Sequence, residues 1–306
     1  MISEDVLTAA HRADAKGATR GDWSAASPPA QSVKLAGEMR AGLTRGEFFL
    51  VFQPQIDLLT QRIAGVEALV RWQHPRHRIL LPNQFIRVAE LSGLIVPLGN
   101  QMLRLACIEA ARWRSGPLAG VKVSVSGYPL QLRHEGFIQH IASTLHQTGL
   151  PAERLLIQLP ESAIVHPGHA NFSVLKRLRQ RGIRLAITGF GTGFSCLAYL
   201  PQVPVSSLKI DRSFLSDVPG NTRNEAVTRT IVELGRTLDL HLVAEGVETE
   251  AQADFLREIG CGSAQGPLYA PPQTASILSE WIRTWPAGTQ APRMAGQAGN
   301  SPRPGA

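Results

Sequence analysis

The sequence predicts an α/β protein built as a modified (β/α)8 barrel with an antiparallel first strand. Eight short β-rich segments recur over roughly 240 residues, most of them separated by helical stretches. The first two are joined only by DLLTQR (57–62), too short for a crossover helix, so they are expected to pair antiparallel. The other spacings suit βα units. A doubly wound open sheet is the alternative.

The elements follow in chain order. Residues 1–32, ending in SAASPPAQS, are rich in Ala, Ser, Pro and charge, the composition of a flexible lead. FFLVFQPQI (48–56) and IAGVEALVRW (63–72) read as the hairpin. VKVSVSG (121–127), LLIQLPE (155–161), RLAITGF (184–190), SLKIDRS (207–213), HLVAEGV (241–247) and SAQGPLY (263–269) read as the remaining strands. Helices are expected over 83–114, 133–147, 170–181, 223–238, 250–259 and 273–284, with GLPAERL and GCGSAQG as punctuation. The tail 286–306 has the composition of the lead and is expected to be disordered, leaving one folded domain at 33–285.

Composition narrows the class. The chain has 306 residues, is 43% apolar and carries a formal charge of +7, which suits an anionic partner without requiring one. Cys107, Cys196 and Cys261 are far apart and show no metal-ligand spacing, as expected of free thiols in a reducing compartment. The N-terminus has no signal-peptide pattern, and no apolar run approaches the roughly 18 residues of a membrane span. A soluble, cytoplasmic protein is expected.

In a barrel, chemistry gathers at the C-terminal strand ends. That rule points to Glu67, Ser124, Gln158, Thr188, Lys209, Glu245 and Gln265. Glu67, Leu69 and Arg71 share strand parity, as do Lys209 and Asp211; either set serves a site or a structural ion pair. Glu245 and Glu248 close another strand. GFGTGF has the spacing GxGxG rather than GxGxxG, with Phe194 in the third glycine's place, which argues against a dinucleotide site. The basic run KRLRQRGIR (176–184) reads as a solvated helix end, and HPRHR (74–78) as a surface loop at the barrel mouth.

Taken in order, FQPQID, GVEALVRWQHP, PNQFIRVAELSGLI, GFGTGFSCLAYLPQVPVSSLKIDRSF, LVAEGVET and GCGSAQGPLYAPP resemble the EAL family of cyclic di-GMP phosphodiesterases over about 35–280. The resemblance implies the same modified barrel. It also implies a two-metal phosphodiesterase in which Mg²⁺ or Mn²⁺, held by oxygen ligands at strand ends, activates water. Glu67, Glu161, Lys209, Glu245 and Gln265 keep the family's residues. Four positions depart from it: Ser124 stands for asparagine, Gln158 for glutamate, and Thr188 and Gly189 for paired aspartates. Three formal negative charges are thereby lost, so no metal is expected to be held and no catalysis is expected.

Three functional readings follow from the resemblance. The primary one is a catalytically inactive regulator acting through a protein partner, similar to stand-alone repressors of virulence genes and to regulators of motility or gene expression. In it, Glu67, Lys209 and Glu245 close the old pocket as an ion-pair network. The second is a metal-independent cyclic di-GMP receptor using Gln53, Leu69, Arg71, Asp211 and Glu248, although Arg87 replaces a family proline near the pocket. The third is a residual hydrolase. A homodimer through the loop after Gly191 is plausible by family analogy; direct DNA binding is not expected, since no DNA-binding element is recognisable.

Overall fold

The computed structural model describes residues 29–116, 118–164, 170–192 and 197–285. Strands β1 (Phe48–Asp57) and β2 (Ile63–His74) form the antiparallel hairpin, with Gln53 opposite Glu67. Six further strands run parallel to β2: β4 (Lys122–Ser126), β5 (Leu155–Pro160), β6 (Arg184–Phe190), β7 (Ser207–Ile210), β8 (His241–Glu245) and β9 (Ser263–Gln265). The order β1-β9-β8-β7-β6-β5-β4-β2 closes on itself through the β1–β2 pair. β1 runs antiparallel to both of its neighbours. This is the eight-stranded barrel that the sequence predicts, irregular strand included.

Strand parity explains which residues face inward. On β6, Leu185 and Ile187 join the core under the helices, so Arg184, Ala186 and Thr188 point to the barrel axis. On β4, β5 and β7 the outward residues are again apolar (Val123 and Val125, Ile157 and Leu159, Leu208 and Ile210). Their inward partners include Lys122, Ser124, Gln158, Ser207 and Lys209. Barrel axes are usually filled by branched apolar side chains. Here the axis is polar, and those polar groups must find partners or ligands.

The structure revises several expected elements. The stretch 83–114 divides into α2 (Ile86–Leu91) and α3 (Ile95–Arg112), with Gly93 between them at φ +74. A helix, α1 (Pro29–Arg45), precedes β1 and starts ahead of the expected boundary at 33. HPRHR is a hairpin turn rather than a loose surface loop: it leads into a short strand, β3 (Arg78–Leu80), paired with the end of β2. His74 there is buried against Glu38 of α1, and Arg76 pairs with the same carboxylate. These pieces enclose a second core in which Trp72 stacks on Phe48 at 4.9 Å and Leu35 and Met39 of α1 close the cluster.

A short helix the sequence reading did not expect, α4 (Pro129–Leu132), follows β4; the others lie close to their expected spans: α5 (Phe137–Thr148), α6 (Ala170–Gln180), α7 (Thr222–Thr237), α8 (Glu250–Glu258) and α9 (Ala275–Thr284). Arg177 and Arg179 fall in the last turn of α6 and are exposed, as expected of a solvated helix end. Cys107 and Cys261 are free and buried, and burial pushes both thiols up to about 12. Residues 1–28 of the lead expected over 1–32, the tail 286–306 and Cys196 lie outside the described residues, while residues 29–32 begin α1 rather than belong to a flexible lead. Among the described residues, no helix is long and apolar enough to cross a membrane.

Candidate functional site at the C-terminal mouth of the barrel

Closure of the barrel assembles the inward residues of seven strands around Glu67. Lys209, only 1% exposed, donates to Glu67 Oε2 at 2.9 Å and also pairs with Glu245. Gln265 Nε2 donates to the same Glu67 oxygen at 2.5 Å and to Gln53 Oε1 at 2.8 Å. Gln53 in turn donates to the Ala270 carbonyl at 3.0 Å. The Gln158 amide fits its neighbours in one orientation. Its nitrogen donates to Glu67 Oε1 at 2.6 Å, and its oxygen accepts from Ser124 Oγ at 2.9 Å and Lys209 Nζ at 3.1 Å. The opposite orientation aims an amide nitrogen at an ammonium.

The electrostatics follow from this packing. Burial alone pulls the Lys209 ammonium down, but Glu245 and Glu67 outweigh it and hold its pKa above the ordinary lysine value. Burial pushes the Glu245 carboxyl up from its ordinary value; Lys209 opposes that shift, and the negative charges of Glu67 and Asp211 add to it. One ammonium thus serves two carboxylates, and two glutamine amides occupy what remains of Glu67.

The other sequence-predicted residues take varied positions. Glu161, 6% exposed, accepts from the Gly191 backbone N–H at 3.1 Å and so anchors the glycine loop. Gly189 and Gly191 have φ +65 and +85, the left-handed backbone for which glycine is suited. Thr192 Oγ1 donates to the Gly189 carbonyl at 2.6 Å, and Thr188 Oγ1 lies 3.5 Å from Leu159 O. Arg71 is 3% exposed and donates to the Val70 carbonyl at 2.9 Å. Asp211 caps the turn over 212–215 by accepting from Ser213 N. Leu69 is half-buried and Glu248 is exposed.

Sequence reasoning missed Gln55, which donates to Gln265 Oε1 at 3.0 Å. Its signal was its shared parity with Gln53 in FQPQID. It also missed Gly266, where a Cβ would sit 2.1 Å from Val247 O, so the chain after β9 can lie against Val247 only with glycine there.

The donor set bears on metal binding. Hard divalent ions need several anionic or carbonyl oxygens in near-octahedral order. Among the described residues, no three His, Cys, Asp or Glu side chains converge to hold one. At this mouth Ser124, Gln158 and Thr188 bring neutral groups, and Gly189 brings none.

With this geometry in hand, comparison with known proteins is decisive about kinship. The family model for the EAL domain matches residues 36–272. The chain belongs to the EAL domain family. The bifunctional diguanylate cyclase/cyclic di-GMP phosphodiesterase MucR of Pseudomonas aeruginosa is 38% identical over 248 residues, covering 81% of this chain and 36% of MucR. An uncharacterized protein of Mycobacterium tuberculosis is 38% identical over 278 residues, covering 87% of this chain and 89% of that protein. The EAL chain spans roughly a third of the length of several other curated relatives it matches. The solved MucR phosphodiesterase, a cyclic di-GMP complex, superimposes with a TM-score of 0.76 at 38% identity, covering 80% of this chain and 99% of that one. The EAL enzyme Bd1971, solved with cAMP and cyclic di-GMP, superimposes with a TM-score of 0.80 at 27% identity, covering 92% of this chain and 76% of that one.

Proposed function

We propose that this protein is a catalytically inactive EAL-domain regulator that acts through a protein partner. One observation supports the loss of catalysis: Ser124, Gln158, Thr188 and Gly189 bring no carboxylate to the mouth, which leaves only Glu67 and Glu245, both paired with the single Lys209 ammonium. Two adjacent divalent ions repel, and compensating them needs more negative charge than these two carboxylates offer. The implied Mg²⁺ or Mn²⁺ pair therefore does not fit the residues present, and no hydrolytic step is derived through it. Regulation of gene expression, motility or virulence is the process class that fits such a protein. The test has two arms. With cyclic di-GMP and Mn²⁺, linear product is expected to stay at background; turnover lost in Glu67→Ala would refute the inactive reading. Affinity capture without nucleotide is expected to retain a protein partner equally well with wild type and Arg71→Ala.

A second reading, a metal-independent cyclic di-GMP receptor, is favoured by the likeness to MucR, whose solved structure is a cyclic di-GMP complex. Titration calorimetry in EDTA separates the two. Micromolar binding abolished by Arg71→Ala supports a receptor; absence of heat well above micromolar protein leaves the interaction reading.

A further inference from the structure

The barrel has a second polar opening, at the N-terminal ends of its parallel strands. Lys122, Arg184 and His241 are the first residues of β4, β6 and β8. Alternate strands of a barrel contribute to the same interior layer, so these three side chains converge. They line a cavity of about 270 Å³, to which Ser207 and Asp57 also contribute. Gly65 and Ser124 also line it, with Gln55 Oε1 filling the space a Gly65 Cβ would take, at 2.7 Å.

The charges in this cavity are not balanced. Lys122 and Arg184 make no side-chain hydrogen bond or ion pair among the described residues. Asp57 is the one carboxylate in the lining, and its Oδ1 is taken by Leu59 N, Thr60 N and Thr60 Oγ1 of its own turn. The cations feel one another: burial and then Arg184 hold the Lys122 amine below its ordinary value. Burial and then Lys122 do the same to the His241 imidazole, with Asp57 opposing. Half-buried like charges facing one cavity cost free energy that a bound anion recovers.

We propose that this N-terminal mouth is a binding site for a phosphoryl-type oxyanion, either free phosphate or the phosphate of a small ester. The Arg184 fork and the Lys122 ammonium supply charge-assisted donors, and the Ser207 hydroxyl adds a neutral one. His241 Nε2 faces Ser263 Oγ at 3.0 Å and its Nδ1 edge lies over Gly262, so the ring serves as a wall of the cavity. The cavity meets the Glu67 network at Gln55 and Ser124, but its cations lie at the opposite ends of the strands from Glu67.

The test is calorimetric titration of the full chain with inorganic phosphate and with glycerol 3-phosphate at fixed ionic strength. Wild type is expected to bind, with Lys122→Gln and Arg184→Gln each weakening binding about tenfold. Lys122→Arg, which keeps the charge, is expected to retain binding and guards against a folding artefact. The exposed Arg87→Gln is expected to match wild type. Tighter binding of the ester supports an ester as ligand; equal binding supports free phosphate. The proposal is overturned by no saturation below about 10 mM. It is also overturned if Lys122→Gln and Arg184→Gln leave binding intact, or if Arg87→Gln weakens it equally.

Discussion

Lys209 reaches Glu67 across 2.9 Å inside the barrel although 142 residues separate them in sequence. Both side chains are nearly sealed from solvent, at 2% and 9% exposure. Removing one partner of such a pair leaves an uncompensated buried charge, which costs about 3–5 kcal/mol. Lys209→Met is therefore expected to lose stability on that scale in urea unfolding. In a Glu67→Gln/Glu245→Gln background the same substitution is expected to cost far less, because no stranded carboxylates remain. A loss below about 1 kcal/mol in the single variant would show that the pair is not held as described.

Glu245 gives the network a pH signature. Its folded carboxyl pKa lies above the ordinary 4.5, so the native state holds the proton more tightly than the unfolded chain does. Stability from this group is greatest below 4.5 and falls as pH rises through its folded value. Paired surface carboxylates trend the opposite way, so the signature is read as a difference. The stability of wild type minus that of Glu245→Gln is expected to fall as pH rises above 4.5. A flat or rising difference contradicts the burial that sets the shift.

The barrel was legible because its strands separate chemistry by parity. Leu185 and Ile187 against Arg184, Ala186 and Thr188 is a pattern one sequence displays. The members of the Glu67 network were legible too, since the strand-end rule pointed to Glu67, Gln158, Lys209, Glu245 and Gln265, although Glu67 lies within β2 rather than at its end. Their pairing was not, because which carboxylate meets Lys209 depends on the register of a closed sheet. Helix α1 was hidden for another reason. PAQSVKLAGEMRAGLTR begins in a Pro- and Ser-rich stretch and holds two glycines, so local propensity is weak. Contacts of Leu35 and Met39 with the Trp72 cluster stabilise it, and those are tertiary. Three-residue β3 is too short for periodicity to register.

Gly266 tests how tightly the mouth is built. Val247 N donates to Gln265 O at 3.1 Å and Leu268 N donates to Val247 O at 3.1 Å, so this segment is pinned on both sides of Gly266. A Cβ there meets Val247 backbone atoms at 2.1 and 2.3 Å, and backbone cannot swing aside as a side chain can. Gly266→Ala is expected to cost about 3 kcal/mol and to disturb the Gln265–Glu67 contact. Gly37 provides the contrast: it is helical, with nothing within 4 Å of its Cβ position. Gly37→Ala is expected to stabilise by about 0.5–1 kcal/mol. Comparable losses in the two variants, by thermal unfolding, would contradict the packing around Val247.

The four altered mouth positions make the inactive reading reversible in principle. Thr188 shares the inward parity of Arg184 and Ala186, so an aspartate there projects into the mouth. Gly189 has φ +65, a backbone that aspartate tolerates at about 1 kcal/mol, and its Cβ position has only Thr192 Oγ1 close by, at 3.3 Å. Gln158→Glu sets a second carboxylate against Glu67, where the amide nitrogen now lies 2.6 Å from Oε1, and a cation is needed between them. The variant Ser124→Asn/Gln158→Glu/Thr188→Asp/Gly189→Asp is thus expected to be less stable than wild type without metal. A divalent ion that binds only the folded state then raises its unfolding temperature. Mn²⁺ is expected to stabilise this variant by several degrees and to leave wild type unmoved. Stabilisation of wild type by Mn²⁺, lost in Glu67→Ala, would mean that Lys209 yields its carboxylates to metal and that the mouth retains the ion its donor set argues against.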